Sequence, residues 1–260
     1  MKTEPKIVYW DLETLPDPRT IYKVIPSIGA WPGRTFKAEL QSILSFGFKI
    51  EGEKKPSCYN AWEFDGWSKD RHDDSALVSV IYDVLHDADA IVTHNGKHFD
   101  LKVLNTRLMY HGYPPLPAGI KHIDTRQVLK KLSLYSNSLD NAAKFFGLDN
   151  KIHWGNKWET WYRFAFGLDT AKDRKQMDEY CKMDVEVLAQ LYKKTRPIHG
   201  NQGFNRNLLS ERPVCPTCGE DKLIKHGTHV TTTVSKQRWH CKGCGSTTVF
   251  GAKDRSPRAV

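Results

Sequence analysis

Two sets of side chains in this sequence carry chemistry by their type and spacing. Asp11 and Glu13 lie two apart at the end of the apolar run Ile7-Val8-Tyr9-Trp10. Side chains alternate along a strand, so both carboxylates point to one face. Like charges side by side repel, and a hard divalent cation such as Mg²⁺ or Mn²⁺ makes the pairing favourable. The alternative is that one of the two faces a loop and is solvated. Asp100 follows Asn95-Gly96-Lys97-His98-Phe99 after the short apolar run Ala90-Ile91-Val92-Thr93. Ligands of open sheets gather at such strand ends, while an aspartate opening a helix is also stabilised by the helix dipole alone. Asp184 has Tyr180 one helical turn before it, on the same face. Val185, Leu188 and Leu191 mark a buried side nearby, so Tyr180 taken singly reads equally as core.

The second set is sulfur. Cys215-Pro-Thr-Cys218 and Cys241-Lys-Gly-Cys244 stand 22 residues apart, the ligand count and spacing of a tetrahedral structural zinc site. A glycine follows each pair, Gly219 and Gly245, as turns that bend backbone amides toward thiolate require. Disulfides are the competing reading. The opening residues Met1 to Lys6 lack the apolar stretch of a signal peptide, so a reducing, cytoplasmic setting and metal-coupled folding are expected. His226, His229 and His240 could substitute for a cysteine, but the complete set of four makes that unnecessary.

The elements that must position these groups follow from pattern. Ile7 to Glu13 is a strand stopped by Pro16 and Pro18. Residues 17–40 carry no clear period and read as an insertion or long loop. Leu44, Phe46, Phe48 and Ile50 alternate, Gly52 to Lys55 turns, and Ser57 to Trp62 returns as a hairpin partner. Ala76 to Leu85 has helical spacing behind Asp73-Asp74-Ser75, read as its capping groups. A strand at 90–94, a helix at 99–110 and a strand at 120–124 come next. Helices at 125–132, 138–146, 157–166 and 171–194 complete the order, which is an α/β mixed sheet flanked by helices. Trp154, Trp158, Trp161 and Tyr162 fall at helical spacing and read as a core stripe, with base stacking as the alternative.

Together Asp-x-Glu on the first strand, Asn-x-x-x-Phe-Asp after a central strand and Tyr-x-x-x-Asp on a late helix resemble the three motifs of the DEDD exonucleases, which have the RNase H-like fold. Tyr180 stands four residues before Asp184, whereas the histidine subtype has its residue five before, where this chain has Glu179; the resemblance is to the tyrosine subtype. Tyr180-Cys181 and Ser138-Leu139-Asp140-Asn141-Ala142-Ala143 further resemble the proofreading domains of family B DNA polymerases. The resemblance spans roughly residues 5 to 195 and leaves no room for a polymerase domain, so it implies a stand-alone 3′-to-5′ exonuclease. It implies two Mg²⁺ or Mn²⁺ ions held by Asp11, Glu13, Asp100 and Asp184, with Asp11 shared between them, and Tyr180 orienting the attacking water. It places Asn95 and Phe99 beside the terminal nucleotides; Phe99 reads first as packing beneath Asp100 and second as a stacking platform. Lys97 is either a phosphate contact or part of a solvated turn.

The cysteine segment, with Gln237-Arg238-Trp239 before its second pair, resembles the zinc ribbons of insertion-element transposases, which bind DNA. Lys and Arg number 39 against 30 Asp and Glu, and residues 201–260 hold ten of the former and four of the latter. That balance favours a polyanionic partner. Lys222, Lys225, Lys236, Arg238, Lys242 and the terminal Lys253 to Arg258 would act on phosphates, with Arg238 and Lys242 nearest the second pair. The expected organisation is an RNase H-like exonuclease domain over 1–200, a linker over 201–210, and a small β zinc ribbon with basic tail over 211–260. Nucleic acid is the expected partner, DNA before RNA, with no membrane span; the architecture would suit a phage or mobile element. Competing readings are a non-catalytic nucleic-acid-binding protein, an RNA-directed exonuclease, and a transposase-like strand-transfer enzyme, whose acids differ in spacing.

Overall fold

The computed structural model describes residues 4–15, 42–148 and 157–250. Its larger sheet has five strands: β1 (Ile7–Thr14), β2 (Ile43–Ile50), β3 (Ser57–Asn60), β4 (Ala90–Thr93) and β5 (Lys121–Asp124), in spatial order β3-β2-β1-β4-β5. β1 pairs antiparallel with β2 and parallel with β4, and β5 continues parallel beyond β4. Helices are α1 (Asp65–Lys69), α2 (Ser75–Leu85), α3 (Asp100–Tyr110), α4 (Thr125–Leu129), α5 (Leu139–Phe146), α6 (Lys157–Phe166) and α7 (Ala171–His199). This mixed, helix-flanked sheet is the RNase H-like architecture expected. The expected loop at 17–40, Trp154 and Trp158 lie outside the residues whose side chains are described.

Strand alternation decides which helix sees which side chain. Val8, Trp10 and Leu12 of β1, with Phe46 and Phe48 of β2, face a core closed by Leu77, Ile81 and Leu85 of α2 and Leu104 and Leu108 of α3. Ile7 and Tyr9 face the other way, onto Val185, Leu188, Ala189 and Tyr192 of α7. Asp11 and Glu13 continue this second row. Their partners on β2 are Gly47 and Ser45, small side chains that let α7 approach. A β carbon built on Gly47 would lie 2.8 Å from Cys181 Sγ and 2.9 Å from Val185 Cγ2, so only glycine fits under the helix here. Lys49, next in the row, donates to Glu186 of α7 at 2.6 Å. α4 and α5 brace the outer side of α7, with Leu129, Leu139, Ala142 and Ala143 against Val187 and Leu191.

α7 runs five residues past Lys194 despite Pro197. Lys131 donates to the carbonyls of Ile198 and His199 at 2.8 and 2.9 Å, satisfying acceptors that a helix end leaves open. At the N-terminus of α2 the capping expected of Asp73-Asp74-Ser75 falls to one carboxylate of the two. Asp73 does the capping, accepting from the amide and hydroxyl of Ser75 at 3.0 and 2.6 Å. Asp74 turns inward, accepts from the Ile43 amide at 2.7 Å, and forms a buried ion pair with Arg107 that also meets His111. A buried carboxylate must have its charge paired and its oxygens hydrogen-bonded, and Arg107 and the Ile43 amide supply both. Of the aromatic stripe, Trp161 and Tyr162 are both half-buried: Trp161 packs on the main core, and Tyr162 lies against Phe166 with ring centroids 4.5 Å apart.

The second sheet holds β6 (Leu223–Val230), β7 (Ser235–Cys241) and β8 (Thr247–Thr248), in order β6-β7-β8 and antiparallel throughout. Residues 200–209 form two short 3₁₀ turns. Phe204 packs onto the α7 side of the large sheet, and the buried Asn207 donates to the Val214 carbonyl at 3.0 Å. The segment expected as a linker thus makes contacts on both sides.

Candidate metal centres

Alternation, register and the glycine gap at position 47 bring three of the four expected acids together. Carboxylate oxygens of Asp11, Glu13 and Asp184 all lie within 4.8 Å of one another. Asp184 is buried, while Asp11 and Glu13 are half-buried at the end of β1. Three carboxylates in partial burial repel strongly unless a cation compensates them, and an all-oxygen donor set suits a hard divalent ion. The donors present therefore fit Mg²⁺ or Mn²⁺.

Tyr180 is buried on the same face of α7, and its hydroxyl hydrogen-bonds to Asp184. Burial, then the charges of Asp184 and Glu13, push the phenol far above its usual range. It therefore stays protonated and donates. Its neighbour Cys181 is fully buried against Gly47, its thiol pushed up by a hydrogen bond with Cys58 and by burial. It is a packing residue.

Asp100 stands apart from the three-acid group. It is buried at the start of α3, and its Oδ1 accepts from the Leu12 amide, between Asp11 and Glu13, at 3.1 Å. Burial pushes its carboxyl up to about 6, with the charge of Asp124 adding to the effect. The backbone of β1 thus ties the second motif to the first.

Asp124 is the residue that sequence reasoning passed over, seen there only as the end of a strand. It is buried and accepts from the amides of Asn95 at 2.9 Å, Lys97 at 3.3 Å and Arg126 at 3.0 Å. It clamps the turn leading to Asp100. Its signal was available: Asp-Thr at a strand-to-helix junction is an N-cap signature. Within that turn Asn95 has φ of 73°, and its Oδ1 accepts from Arg126 at 2.8 Å. Lys97 is exposed. Phe99 is 38 % exposed, which corrects its reading as core; α3 starts one residue later and carries the ring outward beside Asp100.

The four cysteines form the other group, again with ligand atoms within 4.8 Å of one another. Cys215 Sγ and Cys244 Sγ are 3.8 Å apart, Cys218 Sγ and Cys241 Sγ 3.6 Å. A tetrahedron with metal–sulfur bonds of ~2.3 Å has edges of ~3.8 Å, whereas a disulfide needs ~2.05 Å. All four are free thiols, so the disulfide reading falls and a metal–thiolate site fits. Gly219 and Gly245 have φ of 84° and 72° and close the turns by donating to the carbonyls of Cys215 and Cys241 at 2.9 and 3.0 Å. Ser246 lies 3.3 Å from Cys215 Sγ and 3.0 Å from Cys244 Sγ, an outer partner for the thiolates. Lys242 is exposed on the second turn. Arg238 is half-buried and spends its Nε on the His226 carbonyl at 2.8 Å, holding the β6–β7 hairpin.

Comparison with known proteins adds two findings. A family model described as the RNase H superfamily matches residues 37–196, more than half of the chain; Asp11, Glu13 and the four cysteines lie outside the matched stretch. No curated protein matches. Among solved structures, the family B DNA polymerase from the hyperthermophilic archaeon Pyrobaculum calidifontis is similar over 75 % of this chain, at 16 % identity and a TM-score of 0.49, and the similarity covers 26 % of the polymerase.

Proposed function

This chain belongs to the RNase H superfamily, and from that premise we propose that it is a metal-dependent 3′-to-5′ exonuclease acting on nucleic acid, DNA before RNA, with a C-terminal zinc ribbon that binds the substrate. The observation that carries the proposal is the convergence of Asp11, Glu13 and Asp184, residues far apart in sequence, with the hydroxyl of Tyr180 on Asp184. The 3′-to-5′ direction rests on the order and content of the three motifs, which resemble those of the DEDD exonucleases.

Asp11, Glu13 and Asp184 would hold one Mg²⁺ or Mn²⁺. Asp11 would be shared with a second, served by Asp100 directly or through water. When bound, such paired ions acidify water and compensate charge on the attacking and leaving oxygens. The protein does the rest. Tyr180, kept protonated with its single O–H donated to Asp184, would orient the attacking water by accepting from it through its oxygen rather than by taking its proton. Asp124 fixes the 95–97 turn, so that Asn95, exposed Lys97 and the outward ring of Phe99 meet the terminal nucleotides from one side. The Cys215, Cys218, Cys241 and Cys244 thiolates would hold one structural Zn²⁺, consistent with a reducing, cytoplasmic setting. Among the described residues no helix is long and apolar enough to cross a membrane.

The test is a panel of end-labelled single- and double-stranded DNA and RNA, with Mg²⁺ or Mn²⁺ and with EDTA, for wild type and Asp184→Asn. Mononucleotides released from the 3′ end, stopped by EDTA and by the substitution, support the reading. Activity in Asp184→Asn equal to wild type contradicts it. Salt-sensitive binding without hydrolysis would mark a non-catalytic binder.

A further inference from the structure

The small sheet is docked at the end of the large sheet opposite the acids. Glu51, just past β2, donates its amide to the carbonyl of Ile7 at the start of β1, at 2.8 Å. Its carboxylate is ion-paired to Arg196 of α7 and to Arg206 of the connecting turns, and accepts from the Tyr9 hydroxyl at 2.9 Å. Burial pushes that carboxyl up, but the two arginines outweigh it and hold it below its usual range. Arg206 in turn donates its amide to the Pro216 carbonyl at 2.9 Å, inside the first cysteine turn. The ribbon is thus held where β1 begins, and Asp11 and Glu13 lie where β1 ends. α7 spans the same interval, with Asp184 at mid-length and Arg196 beside the ribbon.

At that seam lies a groove of about 720 Å³, walled by Lys193, Lys194 and Arg196 of α7 and by Arg212, Glu220 and Asp221 of the ribbon side. Arg196 is taken by Glu51, and Arg212 meets Asp221 at 3.4 Å. Glu220 Oε1 accepts from the amides of Asp221 and Lys222 at 3.0 and 3.2 Å. Lys193 and Lys194 are exposed. The hairpin beyond adds the exposed Lys225 and Lys236; β6 is exposed at every position after Leu223, whereas β7 is exposed only at Ser235 and Lys236.

We propose that this seam groove is a remote phosphate-backbone site, which grips the strand whose end lies in the acidic cluster and makes hydrolysis depend on substrate length. The proposal rests on the exonuclease reading. Ten helical residues separate Asp184 from Lys194, about 15 Å along the helix axis and roughly 80° around it. A stacked strand advances ~3.4 Å per nucleotide, so the span corresponds to at least roughly four to five nucleotides. Shorter substrates reach the acids alone; longer ones reach both. Because Glu51 binds the ribbon side to both β1 and α7, the spacing is set by the fold and not by a loose tether, and the threshold is correspondingly sharp.

The experiment compares oligodeoxynucleotides of about 4 and about 20 nucleotides, below and above that span. It uses the full chain, Lys193→Glu/Lys194→Glu and, separately, Arg212→Glu. The ratio of kcat/KM on the long over the short substrate is expected to fall in the lysine variant, and the fall to be roughly 5- to 10-fold larger at about 50 mM than at about 200 mM salt, as about two phosphate contacts require. With hydrolysis blocked by Asp184→Asn, the slope of log affinity for the long substrate against log salt is expected to shrink by about 1.4, at ~0.7 per contact on a single strand. Arg212→Glu shifts both readings the same way. Unchanged ratio and slope in both variants overturn the proposal and leave the groove to a protein partner. If wild type hydrolyses neither oligonucleotide, the exonuclease reading fails, and the salt slope still decides the groove.

Discussion

Gly47→Ala tests the packing that assembles the acids. The added methyl would sit 2.8 Å from Cys181 Sγ, 2.9 Å from Val185 Cγ2 and 3.0 Å from the Cys181 carbonyl oxygen. Carbon contacts settle at ~3.5–4.0 Å, so α7 must retreat by roughly 0.5–1 Å. Overpacking of this kind costs ~1–3 kcal/mol. Strand propensity argues the opposite sign, because alanine in place of glycine in a regular element gains ~0.5–1 kcal/mol. The net expectation is a loss of about 1–2 kcal/mol, a fall of a few degrees in Tm for a chain of this size. Asp184 rides on the displaced turn, three residues after Cys181, while Asp11 pairs with position 47 and stays with the sheet. A ~1 Å misplacement of a reacting group costs ~10²-fold, so kcat/KM should fall about a hundredfold in an end-labelled assay. Adding Cys181→Ala removes the Sγ contact and should restore part of both losses. Wild-type melting and rates in Gly47→Ala would refute the reasoning.

Tyr180→Phe deletes one hydrogen bond to a charged group, worth ~1.5–3 kcal/mol; kcat should fall roughly 10- to 100-fold, with Mn²⁺ affinity by calorimetry unchanged. Wild-type protein should release about one equivalent of zinc to a colorimetric chelator after thiol modification, and Cys218→Ser should retain none. His199 is buried against Thr195 at 2.9 Å, and burial pushes its imidazole down to about 4 from 6.5. Because its folded pKa is depressed, the unfolded chain takes up the proton first. The stabilisation is full above pH 6.5 and is lost toward pH 4, by about 2 kcal/mol between pH 7 and 5. Urea midpoints of wild type should drop over that interval, and those of His199→Gln should drop less by that amount.

What the sequence disclosed was whatever chemistry is written locally. Asp11 and Glu13 on one strand face, Tyr180 one turn before Asp184, and two Cys-x-x-Cys pairs each carry their geometry in a few residues, and each reappears in the folded chain. Contacts set by a distant partner were hidden. Asp74 read as a cap because Arg107, 33 residues on, cannot be seen from the capping pattern. Phe99 read as core because its outward turn is fixed by Asp124, on another strand, through the 95–97 amides. The register that sets Gly47 opposite Asp11 is likewise a matter of pairing, and no local pattern distinguishes that glycine from one in a turn. The docking of the ribbon through Glu51, Arg196 and Arg206 joins three segments and is legible only in three dimensions.

The most direct test of the central claim is calorimetric titration of Mn²⁺ into the intact chain, its cysteine site loaded with zinc, alongside Asp11→Asn and Asp184→Asn. Each substitution takes one negative charge from a site of three carboxylates and leaves a weaker amide-oxygen ligand in its place. Wild type is therefore expected to bind Mn²⁺, and each variant to bind it at least about tenfold more weakly, a change of ~1.4 kcal/mol. Equal Mn²⁺ binding by all three proteins would contradict the account.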